Sequence, residues 1–186
     1  MLSSSEQAYL AAERLAPGRS EYLHGATFAL PTPTPAHTQL AENTATLLAG
    51  QVQGRGWTVL GDATRLHALG SGLFTYPDVL LVCGKVLLLA DGHRDTLLNP
   101  TVLVKVLPHP MPAHFQDVFE AYYDIPTVQH VVLLTEYAAR VSLGSRAAEG
   151  GLAVQGFTGL DAVLTIADLD LVLPLADLYQ HVALRA

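Results

Sequence analysis

Lysine is almost missing from this 186-residue chain. Lys85 and Lys105 are its only two, and Lys and Arg together number 10 against 17 Asp and Glu, a formal charge of −7. Binding to nucleic-acid phosphates usually leaves a basic patch, and no basic cluster is evident here. A cleft can differ in sign from the surface around it, so the charge balance weakens that class without excluding it. Cysteine is as scarce. Cys83 alone excludes an intramolecular disulfide and a zinc site of several thiolates, and its apolar setting predicts a buried small hydrophobe. Long hydrophobic runs are also lacking. Half of the residues are hydrophobic, yet the apolar stretches are strand-sized and broken by Gly84, Lys105 or Pro174, which predicts no transmembrane helix and no membrane partner. Met1 to Glu6 has neither a basic region nor an apolar core, so a secretory signal is not expected and the cytoplasm is the predicted location. The length suits one domain over residues 1–186 with a core that needs no staples, and the apolar excess points to a homodimer.

Hydrophobic periodicity supplies the elements. Ser5 to Leu15 reads as a short helix ended by Pro17-Gly18, and Glu21 to Leu30 as two strand segments about Gly25. The proline run Pro31 to Pro35 is a stiff loop. Leu40, Thr44, Leu47, Leu48 and Val52 recur at helical spacing, which predicts the longest helix over Ala36 to Gly54. Strand character returns at Trp57 to Leu60, Thr64 to Leu69, Tyr76 to Val82 and Thr101 to Leu107. Ala113 to Tyr123 carries Phe115, Val118, Phe119 and Tyr122 on one face, a helix of roughly three turns. Strands over Val128 to Leu134 and Ala139 to Leu143, a hairpin from Gly150-Gly151 and a helix over Leu173 to Tyr179 with Pro174 in its first turn complete the chain. Strands with a long helix before them and a shorter one after predict an α/β or α+β domain, a mixed sheet with helices on its faces.

Two residues ask for a chemical reason. Asp78 follows Pro77 at the start of an apolar strand, and Lys105 lies within another, Val102-Leu103-Val104-Lys105-Val106-Leu107. A lysine in a run that would pack mid-sheet is costly unless it is paired, so the two are expected to meet at a sheet end facing a cleft. His37, His109 and His114 leave open a transition-metal site, a reading that spacing alone supports weakly.

Several segments taken in order resemble one family: Glu21-Tyr22-Leu23-His24-Gly25, Pro35-Ala36-His37, Tyr76-Pro77-Asp78-Val79, Arg94 to Thr101, Phe119-Glu120-Ala121-Tyr122, and Leu173 to Tyr179. They are similar to the Uma-two family of restriction-type endonucleases, and the likeness spans nearly the whole chain. The resemblance implies a PD-(D/E)XK nuclease fold, a restriction-endonuclease-like core with a central mixed β-sheet flanked by helices. It further implies DNA as partner and phosphodiester hydrolysis with Mg²⁺ or Mn²⁺ held by carboxylates. By the same likeness Asp78 is the metal-holding aspartate, Glu21 the early acidic site residue, and His37 the histidine that often begins the long helix. Lys105 falls where the family has its second acidic ligand, and His114 and Val118 fall where it has an aspartate and a lysine. These departures imply a degenerate site in which Lys105 pairs with Asp78 in place of the ion, so that no metal is needed. The expectation is a catalytically impaired nuclease, or alternatively a non-catalytic binding or assembly protein on the same fold.

Overall fold

The structure is a computed structural model that describes residues 2–147 and 151–184. Helix α1 (Ser4–Glu13) starts at Ser3, whose hydroxyl accepts the Glu6 N–H while the Glu6 carboxylate accepts the Ser3 N–H, a reciprocal cap. Strands β1 (Ser20–Leu23) and β2 (Ala26–Ala29) form a hairpin whose two turn residues, His24 and Gly25, both have positive φ. Helix α2 (Pro35–Gln51) has Thr34 as its cap and Pro35 in its first turn, where a missing N–H is no loss. There follow β3 (Thr58–Gly61), β4 (Arg65–Ala68), β5 (Leu73–Thr75), β6 (Val79–Val82), β7 (Thr96–Leu97), β8 (Val102–Leu107) and α3 (Phe115–Tyr122). The chain continues with β9 (His130–Thr135), β10 (Arg140–Arg146), β11 (Leu152–Thr158), β12 (Val163–Ile166), β13 (Leu171–Pro174) and α4 (Leu175–Leu178).

The architecture is mixed α+β. One six-stranded sheet has the order β11-β10-β9-β8-β6-β3, antiparallel except for the parallel β8–β9 pair. A five-stranded sheet has the order β2-β1-β5-β4-β7, and β12 pairs with β13 as a separate ribbon. Residues of β6 and β8 alternate between two cores, as the period of two in a strand requires. Val79, Leu81, Val102, Val104 and Val106 pack with Leu40 and Leu48 of α2, the β12–β13 ribbon and Leu175 of α4. Leu80, Val82 and Leu103 face the other way, onto Val118 and Tyr122 of α3 and Leu66, Leu73 and Leu97 of the five-stranded sheet. The six-stranded sheet is thus a middle layer, with β6 and β8 packed on both faces and Lys105 of β8 reaching a cleft at the sheet end.

Some boundaries differ from the expected ones. Residues 73–75 make a strand of their own, because Pro77 interrupts the ladder before β6 begins. Val86 to Leu89 makes only a bridge from Leu88 to Leu97. Helix α3 has 8 residues, nearer two turns than three, because residues 113–114 form a turn, closed by the Phe115 N–H on the Pro112 carbonyl, before the helix begins. The C-terminal helix is 4 residues long, and Pro174 ends β13 and caps the helix from outside. Cys83 is half-buried. Of the Gly150-Gly151 pair, Gly150 lies outside the described residues; the hairpin is β10–β11. Among the described residues no helix is long and apolar enough to cross a membrane.

Candidate active site

The antiparallel pairing of β6 with β8 sets Val79 opposite Val104, which puts the residue before β6 and the residue after Val104 at the same sheet end. Asp78 and Lys105 are those residues. The Asp78 N–H donates to the Val104 carbonyl at 3.0 Å, and the Val106 N–H donates to Asp78 Oδ2 at 2.7 Å. The aspartate is therefore stitched to the next strand by both backbone and side chain. Lys105 Nζ lies 3.7 Å from Asp78 Oδ2 and donates to the Tyr76 carbonyl at 3.1 Å. Both residues are buried, Asp78 at 6% and Lys105 at 9% exposure. The ion pair expected for a lysine inside an apolar strand is present.

His37 reaches the same carboxylate. Thr34 accepts the His37 N–H at 3.0 Å and donates to Glu136 at 2.7 Å, which fixes the first turn of α2. From there His37 Nε2 contacts Asp78 Oδ1 at 2.7 Å. A carboxylate only accepts, so this nitrogen carries the hydrogen. Burial opposes the charged form of Asp78, but the Lys105 ammonium, the His37 contact and the Val106 N–H outweigh it and hold the carboxyl below its ordinary value.

Glu21 comes from β1 in the other sheet and is buried. Thr75 of β5 donates to Glu21 Oε1, and His114 Nε2 lies 3.2 Å from Glu21 Oε2. His114 precedes α3 without capping it. Its ring instead stacks on Phe28 of β2 at a centroid distance of 3.9 Å and 15° between planes. Tyr122, wholly buried in the core beneath, has its phenol pushed well above its ordinary value by burial, and its hydroxyl has no hydrogen-bond partner among the described residues.

The ionisable side chains among these, Glu21, His37, Asp78, Lys105 and His114, line one cleft of about 590 Å³. Glu21, His37, Asp78, Lys105, His109 and His114 line it, with Pro31, Pro33, Pro108, Pro112 and Phe115 as apolar walls. Five carboxylates (Glu21, Glu42, Asp62, Asp78, Glu136) outnumber two permanent cations (Arg19, Lys105) along the cleft, which makes its lining acidic. Arg19 is itself paired with Asp62 at 2.9 Å.

The four expected site residues, Asp78, Lys105, Glu21 and His37, are brought to one cleft. The His37–His109–His114 site is not formed: among the described residues no three His, Cys, Asp or Glu side chains are grouped to hold a metal ion. His37 and His114 are each engaged with a carboxylate, and His109 lies against Tyr137. Sequence reasoning missed Thr75 and the Glu21–His114 pair. The resemblance had set His114 at a position where the family carries an aspartate, but its partner is 93 residues away and nothing local links the two.

A divalent cation does not fit these residues. Mg²⁺ and Mn²⁺ need several oxygen ligands, carboxylates above all. Here both oxygens of Asp78 are engaged, and an ammonium stands 3.7 Å from one of them.

Comparison with known proteins agrees with the architecture. Residues 6–176 match the family Uma2, described as "Putative restriction endonuclease". An uncharacterized protein of Synechocystis is 25% identical over 134 residues, which cover 72% of this chain and 75% of that protein. The fold is similar to the crystal structure of a putative nuclease belonging to DUF820 from Anabaena variabilis, with a TM-score of 0.70 and 16% identity over 88% of this chain and 91% of that one.

Proposed function

Because the chain belongs to the Uma2 family of putative restriction endonucleases, we propose that it is an endonuclease-fold protein, one domain over residues 1–186, whose metal-dependent phosphodiester hydrolysis is impaired. The observation that carries this reading is the closed set of contacts around Asp78. Its carboxylate is shared among the Lys105 ammonium, the His37 imidazole and the Val106 N–H, so the charge a metal would supply is already present as a side chain. Replacing a ligand carboxylate by an ammonium changes the local charge by two and places a cation where the ion belongs. DNA remains the partner class that the family suggests. The non-catalytic alternative, a binding or assembly protein on the same fold, is favoured by the acidic cleft, which repels a polyanion when no metal neutralises it.

The test pairs a plasmid-nicking assay with melting curves. In Mg²⁺ or Mn²⁺ the protein is expected to leave supercoiled plasmid intact and to show no metal-induced rise in Tm. Lys105→Glu removes the internal cation and restores a second carboxylate, so Mn²⁺ should raise the Tm of that variant. Metal-dependent nicking by the unaltered protein that vanishes in Asp78→Ala would overturn the proposal.

A further inference from the structure

Away from the cleft, at the other end of the six-stranded sheet, three side chains form a hydrogen-bonded chain. The ladder sets Ser145 of β10 opposite His130 of β9, and His130 lies beside Val102 of β8, three residues along that strand from Lys105. Ser145 Oγ and His130 Nδ1 are 2.9 Å apart, and His130 Nε2 is 2.9 Å from Asp168 Oδ2. Asp168 comes from the 3₁₀ turn Ala167–Leu169 that follows β12. Arg55 ties that turn down by donating to the Leu169 carbonyl at 2.8 Å, and its guanidinium lies over the Trp57 ring. Leu169 packs on the α2-side core.

The hydrogen positions follow from the partners. A carboxylate only accepts, so in the neutral ring Nε2 carries the hydrogen and Nδ1 keeps its lone pair. The Ser145 hydroxyl therefore donates to Nδ1. The His130 side chain is 8% exposed, Asp168 is 60% exposed, and Ser145 is half-buried. A buried imidazole behind a hydroxyl that solvent reaches, itself oriented by a carboxylate, is the arrangement that makes a serine nucleophilic. Packing needs no such order of donors and acceptors. The three residues are 15 and 38 positions apart in the chain, and only the strand register and the 3₁₀ turn bring them together.

We infer that Ser145 is a nucleophile that takes the acyl group of activated carboxylic esters, with His130 as its base and Asp168 as the positioning residue. This goes beyond the nuclease-fold reading and involves none of the cleft residues. Activated esters fit because Ser145 stands half-exposed on a strand. Water carries the charge that develops on the carbonyl oxygen, so the leaving group must depart readily. The step balances. Ser145 Oγ bonds to the carbonyl carbon as its proton passes to His130 Nδ1, and Asp168 stabilises the imidazolium that forms. The bond from the carbonyl carbon to the leaving oxygen breaks, and that oxygen departs with the electron pair and the proton. Water then attacks the acyl carbon, gives a proton to Nδ1, and the Oγ–acyl bond breaks as the proton returns to Ser145. The products are a carboxylic acid and an alcohol.

The test uses the whole chain with two probes, a fluorophosphonate that traps nucleophilic serines and p-nitrophenyl acetate. The fluorophosphonate should leave its phosphonyl group on Ser145, located by mass mapping of peptides, with fluoride released. Release of p-nitrophenol should fall by about 10²–10⁴-fold in His130→Gln and to the uncatalysed level in Ser145→Ala. Asp168→Asn keeps the test decisive if His130→Gln melts early, because Asp168 is exposed and its replacement should leave Tm unchanged. The amide removes the charge that stabilises the imidazolium and can donate to Nε2, a tautomer in which Nδ1 no longer accepts from Ser145. Labelling should slow in Asp168→Asn and recover in part in Asp168→Glu. No phosphonyl group on Ser145 overturns the inference, as does ester cleavage that persists in Ser145→Ala or a labelling rate that Asp168→Asn leaves unchanged. Neither probe involves DNA or a metal ion, so the result is separate from that of the plasmid assay.

Discussion

Asp78 is where charge and burial meet. Removing its carboxylate in Asp78→Ala leaves the Lys105 ammonium buried with only the Tyr76 carbonyl, and breaking a buried pair from one side costs roughly 3–5 kcal/mol. Lys105→Met in that background should recover much of the loss, and the coupling is read from a double-mutant cycle in urea. The pH dependence has a definite sign. Lys105, His37 and the Val106 N–H hold the folded-state carboxyl below its ordinary value of 3.8 against the opposing effect of burial. Its contribution is therefore complete above that value and fades as pH falls through the depressed one. The stability gap between the unaltered protein and Asp78→Asn should be constant near neutrality and close in strong acid. A gap that closed near pH 6 instead would assign the effect to another group.

At the scale of elements, the first turn of α2 backs the site, and the middle of β10 packs against the end of α3. Thr34 caps α2 and bridges to Glu136, so Thr34→Ala should cost about 1 kcal/mol in denaturant melts. In β10 a methyl added at Gly144 would stand 2.5 Å from the Tyr123 hydroxyl, on a ring already packed edge-on to Phe119 and beneath Arg146. Gly144→Ala should destabilise by about 1–3 kcal/mol. Tyr123→Phe should relieve part of that, since the hydroxyl is buried without a partner. The sequence announced α2 and β8 clearly, because Leu40, Thr44 and Leu48 keep a helical period and Val102 to Val106 makes an apolar run around one lysine. It did not announce β12 or β13. Each has 4 residues with exposed positions between buried ones, too short for a period to stand out. The Asp78–Lys105 pair was legible because a buried lysine requires a partner and few are near in sequence. Glu21–His114 was not, because it depends on how the start of α3 is set against β1, which no local pattern encodes. The tight approach at Gly144 was hidden as well, because it depends on how the end of α3 lies on β10.

For the molecule as a whole, the decisive feature is that β6 and β8 serve two cores at once. Leu80 faces α3 and the five-stranded sheet, Leu81 faces α2 and the β12–β13 ribbon, and both are fully buried. Neither core can be lost while the other keeps its central strands, so the proposal of one domain requires one cooperative transition. Leu80→Ala and Leu81→Ala should each cost about 2–5 kcal/mol, and each should lower the urea midpoint seen by every probe alike. Trp57, the sole tryptophan, packs against the α2-side core and reports it by fluorescence, whereas far-UV circular dichroism reports all of the strands and helices. Coincident curves from the two probes are expected for the unaltered protein and for both variants. If Leu80→Ala shifted the dichroism curve while leaving the Trp57 curve in place, the two cores would be separate units and the one-domain proposal would fall. The cleft would then be built between units, since Glu21 comes from the five-stranded sheet and Asp78 and Lys105 from the six-stranded one.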